Sequence, residues 1–300
     1  MKKKTYLFAL MAMALTLGSC SDNENGIGGE TSKYITVSTS IGNMTRVATD
    51  EKGGQTFEEG DEISVYAWTG DATVAPETRE RVVNNAINKL TNGSWVSTPQ
   101  MLWKNNRDKH YFIGVYPISA ISDLSAGEYT FDETKQVESD LLVAVNKDGL
   151  SYNVDEQQPV PLTFTHVMAK LAVNLTYKNQ WGGIPTVEKV VVGNAAKEAT
   201  INYLTKVVTP STTAKEDFSL PEITENTKYV SVIIPQEEVT QLTIVIGGKN
   251  FVYDNGTPFK LESGKITTVN LEVGRDEIKL GDVKITNWED GSTFSGEALN

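Results

Sequence analysis

From Tyr34 onward, the sequence consists of short runs rich in β-branched and aromatic residues, many of them separated by glycine and asparagine turns. The first run alternates with period two: Ile35, Val37, Thr39 and Ile41 share one face, and Thr36, Ser38 and Ser40 share the other. This period predicts β-strands with one buried face. Short strands at this spacing favour an all-β chain of antiparallel two-sheet sandwiches over a parallel α/β sheet. Further strands are predicted at 62–68, 110–116, 141–145, 162–177, 187–192, 228–234, 241–246, 251–253, 265–273 and 283–288.

The segment from Thr78 to Leu90 is the best helical alternative. Its apolar residues lie partly on one helical stripe, but Asn84, Asn85 and Asn88 are poor residues for a helix interior. We therefore predict a strand or an irregular segment there.

The N-terminus has the features of a bacterial lipoprotein signal. Three lysines follow Met1, and an apolar run from Tyr6 to Leu17 precedes Gly18, Ser19 and Cys20. The apolar run is too short to span a bilayer, which needs about 20 residues. We predict a signal peptide over 1–19 and a diacylglycerol anchor on Cys20, rather than a buried or nucleophilic cysteine. Because Cys20 is the only cysteine, no intramolecular disulfide supports the fold.

The remaining chain is long enough for two domains. Residues 20–33 are polar and glycine-rich, which predicts a flexible tether. The polar stretch from Val154 to Pro159 is the best candidate linker. We therefore predict an N-terminal β-sandwich over 34–156 and a C-terminal β-sandwich over 157–300.

Charge and motif content argue against several function classes. The net charge of −12 disfavours binding to nucleic acid. Neither His110 nor His166 has metal-ligand spacing, and we interpret His166 as a structural histidine. The acidic cluster around Asp61 lacks the pattern of a calcium loop and is interpreted as a solvated turn. The sequence contains no nucleophile elbow, phosphate loop or dinucleotide fingerprint, so we predict no enzyme activity, no metal and no cofactor.

The tryptophans support an alternative function. Aromatic residues at strand ends can stack on sugar rings, although buried packing is their usual role. A lipid-anchored glycan-binding β-sandwich is therefore the competing hypothesis. The five residues are Trp68, Trp95, Trp103, Trp181 and Trp288.

Several segments of the chain carry a recognisable pattern, of which the most specific is Leu162–Leu171, LTFTHVMAKL. The others are Thr45-Arg46, Phe57–Ala67, Tyr111–Pro117, Asp140–Ala144, Val160-Pro161 and Ile285–Gly291. Together they resemble the fimbrillin-like pilus proteins of Bacteroidales (the Mfa-like and FimA-type fimbrillins), in family order along almost the whole chain. The resemblance implies two transthyretin-like β-sandwich domains and a pilus built by strand exchange, in which a trypsin-like protease removes the first strand of a surface lipoprotein.

Two features of this sequence fit that scheme. The strand carrying Ile35, Val37, Thr39 and Ile41 lies between Cys20 and Arg46, so cleavage after Arg46 would remove both the anchor and the strand. Arginines 79, 81 and 107 are alternative cleavage sites. At the other end, residues 282–288, with Val283 and Ile285, form a candidate donor strand or a final strand paired within its own domain.

The combined expectation is a surface lipoprotein that acts as a pilus subunit in cell adhesion. Its expected partners are other pilus subunits, in a homopolymer or heteropolymer, the outer membrane through the lipid on Cys20, and a host or glycan ligand. The expected location is the outer surface of the outer membrane or the fimbria itself.

Overall fold

The computed structural model describes residues 33–42, 56–153 and 158–288. The predicted signal peptide, Cys20, Arg46 and most of the Val154–Pro159 linker lie outside these residues. In the described part, helix is limited to two 3-10 turns, Thr78–Glu80 and Asn179–Trp181. None of the helical segments described is long and apolar enough to cross a membrane. The predicted all-β fold is confirmed.

Nineteen strands follow one another along the described residues. The first ten are β1 Val37–Ile41, β2 Glu62–Thr69, β3 Val83–Thr91, β4 Ser94–Thr98, β5 His110–Tyr116, β6 Gly127–Thr130, β7 Leu142–Leu150, β8 Val160–His166, β9 Ala169–Tyr177 and β10 Val187–Ala196. The others are β11 Glu198–Asn202, β12 Val207–Pro210, β13 Lys215–Ser219, β14 Glu222–Thr224, β15 Lys228–Ile233, β16 Gln236–Ile246, β17 Lys249–Leu261, β18 Lys265–Val273 and β19 Ile278–Asn287.

The strands form four sheets. One has seven strands in the order β1-β8-β7-β5-β2-β3-β4, and a three-stranded sheet has the order β12-β11-β6. The remaining strands form a four-stranded sheet, β13-β10-β16-β17, and a five-stranded sheet, β14-β15-β9-β18-β19. Most pairs are antiparallel, as predicted, but β1 pairs with β8 and β9 pairs with β18 in parallel. Period-two patterns do not distinguish these two directions.

Both faces of the seven-stranded sheet are buried. One face, with Tyr66 and Ile113, belongs to a large core that includes Ile201 and Tyr203, near the three-stranded sheet, and continues into the C-terminal half. The other face, with Val65 and Phe112, lines a second and smaller core. This second core contains the inward side chains of β1 and β8 and is the part of the fold that matters for the candidate site.

The prediction of one long strand over 162–177 was wrong. The chain forms β8, then breaks at Val167-Met168, and then forms β9 in a different sheet. Both Val167 and Met168 are buried, so hydrophobicity alone did not reveal the break. The domain boundary at 156/157 stays a prediction, and the sheet order favours a boundary after His166, because β8 still belongs to the seven-stranded sheet.

The segment 78–90 forms a 3-10 turn followed by most of β3, in agreement with the predicted strand. Asn85 adopts a positive φ of 56°, a conformation that asparagine tolerates better than most residues. Six short strands were not predicted: β4, β6, β11, β12, β13 and β14. None exceeds five residues, which leaves too few positions for a clear period.

Candidate functional site

The segment that contains the first strand, residues 33–42, forms backbone hydrogen bonds on both sides. It pairs in parallel with β8, from Val37 opposite Val160 to Ile41 opposite Phe164. On its other side, the Ile35 N–H donates to the Met101 carbonyl at 2.9 Å. The Trp103 N–H donates to the Lys33 carbonyl at 3.1 Å. The segment 33–42 therefore lies between two backbone edges that belong to the body of the protein.

The side chains of this segment alternate between core and solvent. Ile35 and Val37 are 2% and 6% exposed, and Thr39 and Ile41 are half-buried. The intervening Thr36, Ser38 and Ser40 are exposed, which matches the period read from the sequence. The inward residues rest on the smaller core, whose buried members from the rest of the chain are Ile63, Val65, Ala67, Val83, Ala86, Met101, Phe112, Leu142, Ala144, Val160, Leu162 and Phe164.

The far end of β1 meets β4, the other edge strand of the same sheet, through side chains. The Trp95 indole Nε1–H donates to Thr39 Oγ1 at 3.0 Å. Trp95 contacts Phe57 edge to face at 5.3 Å between centroids, and Phe57 contacts Phe164 in the same way at 5.1 Å. A cavity of about 710 Å³ lies along this line and is bordered by residues 36–41 of the first strand, Phe57 and Trp95.

Removal of residues 33–42 would open a groove with three kinds of surface. The edge of β8 would lose its partner, together with the Met101 carbonyl and the Trp103 N–H. The apolar floor beneath Ile35 and Val37 would face water. An unpaired strand edge beside an apolar trough is a template for another strand.

The last described strand is an edge strand. β19 pairs with β18 from Ile278 opposite Val273 to Asn287 opposite Lys265, with a bulge at Gly281. The predicted donor segment 282–288 therefore comprises the second half of β19 and Trp288. The structure shows it paired within its own chain, which is one of the two alternatives left open by the sequence.

Val283 and Ile285 lie opposite Val269 and Thr267, two residues that are fully buried. They nevertheless remain 37% exposed each. They are thus the apolar part of an edge strand that its own domain covers incompletely.

Trp288, which follows β19, is buried beside two residues of the Leu162–Leu171 segment. Its ring stacks on His166, and the Lys170 Nζ lies 4.2 Å from its centroid. His166 Nδ1 is 2.7 Å from Asp140 Oδ1. Burial lowers the pKa of Lys170 to about 8, although the nearby Asp140 carboxylate opposes this shift. Residues of three segments that carry the sequence resemblance therefore form one cluster.

His110 and Asp61, which were considered in the sequence analysis as possible functional residues, both form local hydrogen bonds. His110 is buried, its Nε2 accepts the Lys104 N–H at 3.1 Å and its Nδ1 lies 3.1 Å from the Asp108 carbonyl. Burial lowers the pKa of His110. Asp61 accepts the Glu58 N–H at 2.7 Å, so part of the acidic cluster closes its own turn. No group of three His, Cys, Asp or Glu residues with metal-binding geometry occurs in the ranges that the structure covers.

The alternative cleavage sites differ in exposure. Arg81 is buried, and its guanidinium group donates to the Ile121 and Ser122 carbonyls. Arg107 is exposed, and the Arg79 side chain is 78% exposed beside Glu77. Of the five tryptophans, Trp68 and Trp288 are buried and present no ring face to a glycan, whereas Trp95, Trp103 and Trp181 are half-buried.

The contacts of Trp95 and Met101 with the segment around β1 were not predicted from the sequence. The Asn92-Gly93 turn, with φ of 52° and 73°, signals the hairpin that places Trp95 on β4. No local pattern indicates that β4 faces β1, because that contact depends on the curvature of the whole sheet.

These features define a β-sandwich protein. The model of the fimbrillin-like family matches residues 45–288, and the chain belongs to that family. The resemblance identified from the sequence is confirmed. The family is one of structural fimbrial subunits, so the chain is a pilus subunit that associates with other pilus subunits at the cell surface.

Individual relatives agree with this assignment. A Bacteroides uniformis protein named as fimbrium subunit Fim1C is 24% identical over 97% of each chain. The crystal structure of a protein described as a cell adhesion protein from Bacteroides uniformis has a TM-score of 0.64 at 19% identity, over 86% of this chain and 100% of that chain. A similarly described Bacteroides ovatus protein has a TM-score of 0.65 at 17% identity, over 85% and 98%. At these identities the two structures establish the fold.

Proposed function

We propose that this subunit polymerises by strand exchange, in which the first strand leaves its groove and the last strand of another subunit replaces it. The observation that carries the proposal is the position of β1. It belongs to the first described segment, residues 33–42, which forms backbone hydrogen bonds with β8 on one side and, through Lys33 and Ile35, with Trp103 and Met101 on the other. The inward Ile35 and Val37 of this segment lie on an apolar floor.

The energetics of exchange favour an occupied groove. Complete burial of an aliphatic side chain stabilises by about 1.5–3 kcal/mol, and Ile35 and Val37 are both almost completely buried. Unpaired backbone groups along β8 add a further cost when the groove is empty. A strand from a second subunit recovers both contributions and links the two subunits.

Proteolysis after Arg46 supplies the trigger in this scheme. Arg46 lies between β1 and β2, so one cut separates β1 from the body without breaking either strand. The same cut removes Cys20, on which we propose a lipid anchor in the outer membrane. An uncut subunit would stay anchored, and a cut subunit would be free to enter the fibre. No catalytic role is proposed.

The donor in this scheme is the segment 282–288. Its apolar Val283 and Ile285 are already partly exposed on an edge strand, so the segment can be reached from outside its own domain.

Limited digestion of the mature protein with an arginine-specific protease tests the proposal. We expect a new N-terminus at Val47 by mass spectrometry, followed by multimers that resist denaturant on gels. Arg46→Gln should abolish both results, and Arg107→Gln, at another exposed arginine, should leave both unchanged. A cut protein that loses residues before Val47 and remains monomeric at high concentration would contradict strand exchange.

A further inference from the structure

The side chain of Trp95 links β4 to the first strand by a hydrogen bond. Its indole N–H points at Thr39 Oγ1, and its ring is held by the edge-to-face contact with Phe57. The indole group is a donor without acceptor capacity, and in this structure the facing strand supplies its acceptor.

Thr39 is exceptional among the inward-facing residues of its strand. Ile35, Val37 and Ile41 are apolar, and Thr39 is the single polar member of this set. From Ile35 to Thr39, the first strand therefore directs two apolar side chains and then a hydrogen-bond acceptor into the groove. The residues between them are polar and exposed. The acceptor lies opposite Trp95.

We propose that Trp95 determines the register and identity of the strand that replaces β1, by requiring a hydrogen-bond acceptor at the Thr39 position. This inference rests on the proposed strand exchange. The occupant is residues Val283–Asn287 of a second copy of this chain, lying parallel to β8 as β1 does. Asn287 Oδ1 then replaces Thr39 Oγ1.

The five residues Val283–Asn287 match residues 35–39 position by position. Val283 takes the place of Ile35, Ile285 that of Val37, and Asn287 that of Thr39. Lys284 and Thr286 take the outward places of the exposed Thr36 and Ser38. Asn287 is exposed in its own domain, so its amide is accessible before exchange.

Incorrect registers lose this match. A shift of one residue turns every side chain to the opposite face, placing Lys284 and Thr286 over the apolar floor. A shift of two residues that brings Ile285 opposite Trp95 leaves the indole N–H facing an aliphatic side chain. In that register the part-buried indole N–H loses its hydrogen bond to the strand.

Displacement of β1 by a peptide tests the inference. For this experiment, a site for a sequence-specific protease is introduced into segment 43–55 of the full mature chain. The chain can then be cut there while β1 stays bound. A fluorescein-labelled peptide covering residues 278–290 is then titrated, and its affinity is measured by anisotropy. Peptides with Asn287→Leu and with Thr286→Val provide the test and its matched control, since Thr286 would face solvent.

We expect Asn287→Leu to weaken binding about tenfold and Thr286→Val to change it less than about twofold. With Trp95→Phe protein, the Asn287→Leu peptide should bind as tightly as the unmodified peptide, because the donor is gone. Equal affinity of the two peptides for the cut protein with Trp95 would overturn the register role and leave strand exchange standing. Failure of every peptide to displace β1 would overturn both proposals.

Discussion

The indole ring of Trp288 lies flat against the imidazole ring of His166, with 4.1 Å between ring centroids and 6° between ring planes. This contact joins the end of the last described strand to the end of β8, where the chain passes from the seven-stranded to the five-stranded sheet. The backbone N–H of Trp288 also donates to the Gly264 carbonyl at 3.1 Å. The terminal strand is therefore anchored beyond Asn287, while Val283 and Ile285 stay partly exposed.

Trp288→Ala should lower the free energy of unfolding by about 3–5 kcal/mol, the usual cost of truncating a buried tryptophan. The lost contacts are the stacking on His166 and the cation–π contact with Lys170. Urea denaturation monitored by circular dichroism measures the change. Val283→Ala, a truncation on the same terminal segment at a more exposed site, should cost less than about 1 kcal/mol. Similar losses for the two variants would show that Trp288 is not the anchor.

The contribution of Lys170 should depend on pH. Its pKa is lowered to about 8 in the folded protein, against an ordinary value of 10.5, because burial disfavours the charged amine. Between these values the unfolded chain binds the proton and the folded chain does not, so this contribution becomes more favourable as pH rises.

Measurement of this effect requires a reference variant, because burial raises the pKa of several tyrosines, including Tyr129 and Tyr203, and this opposes stability at high pH. The stability of the protein relative to Lys170→Met should rise by up to about 3 kcal/mol between pH 7.5 and 10.5. A stability difference that is flat with pH would mean that Lys170 titrates normally.

Gly114→Ala should disrupt the floor under β1. A Cβ at this position would lie 2.6 Å from Phe164 Cζ and 3.1 Å from Leu162 Cδ1. The added methyl group must displace β8 or the Phe164 ring, which overpacks the core at a cost of about 1–3 kcal/mol. Thermal denaturation measures the loss.

Two further variants assign that loss to the contact with Phe164. Phe164→Leu in the Gly114→Ala background should restore part of the lost stability, because the smaller side chain makes room for the methyl group. Ser94→Ala, at an exposed position of β4, should be neutral. A Gly114→Ala protein as stable as the parent would show that Phe164 moves aside freely.

Much of the fold followed from local patterns. Period-two runs located β2, β5 and β18 to within one residue of their bounds, because each has alternating or continuous apolar positions over at least seven residues. Short strands such as β12 and β14 were not predicted, because three or four residues are too few to show a clear period. The passage from β8 to β9 was missed because Val167 and Met168 are as apolar as the strands that they separate.

The candidate site was predicted in part. The alternation of Ile35 and Val37 is a local property of one strand, and so is the apolar spacing of Val283 and Ile285. The parallel pairing of β1 with β8, the contact between Trp95 and Thr39, and the burial of Trp288 against His166 each join residues more than 50 positions apart. Contacts between residues so far apart in sequence do not affect the local periodicity of either segment.

By itself, the sequence determined the all-β class, the family, and which faces of the first and last strands are apolar, because hydrophobic burial imposes a period that each strand carries in its own residues. The tertiary structure alone decided which edges meet. Sheet curvature brought Trp95 to Thr39, and the chain reversal after β18 brought Trp288 to His166. Those choices depend on packing among segments distant in sequence, where shape and hydrogen-bond satisfaction act together.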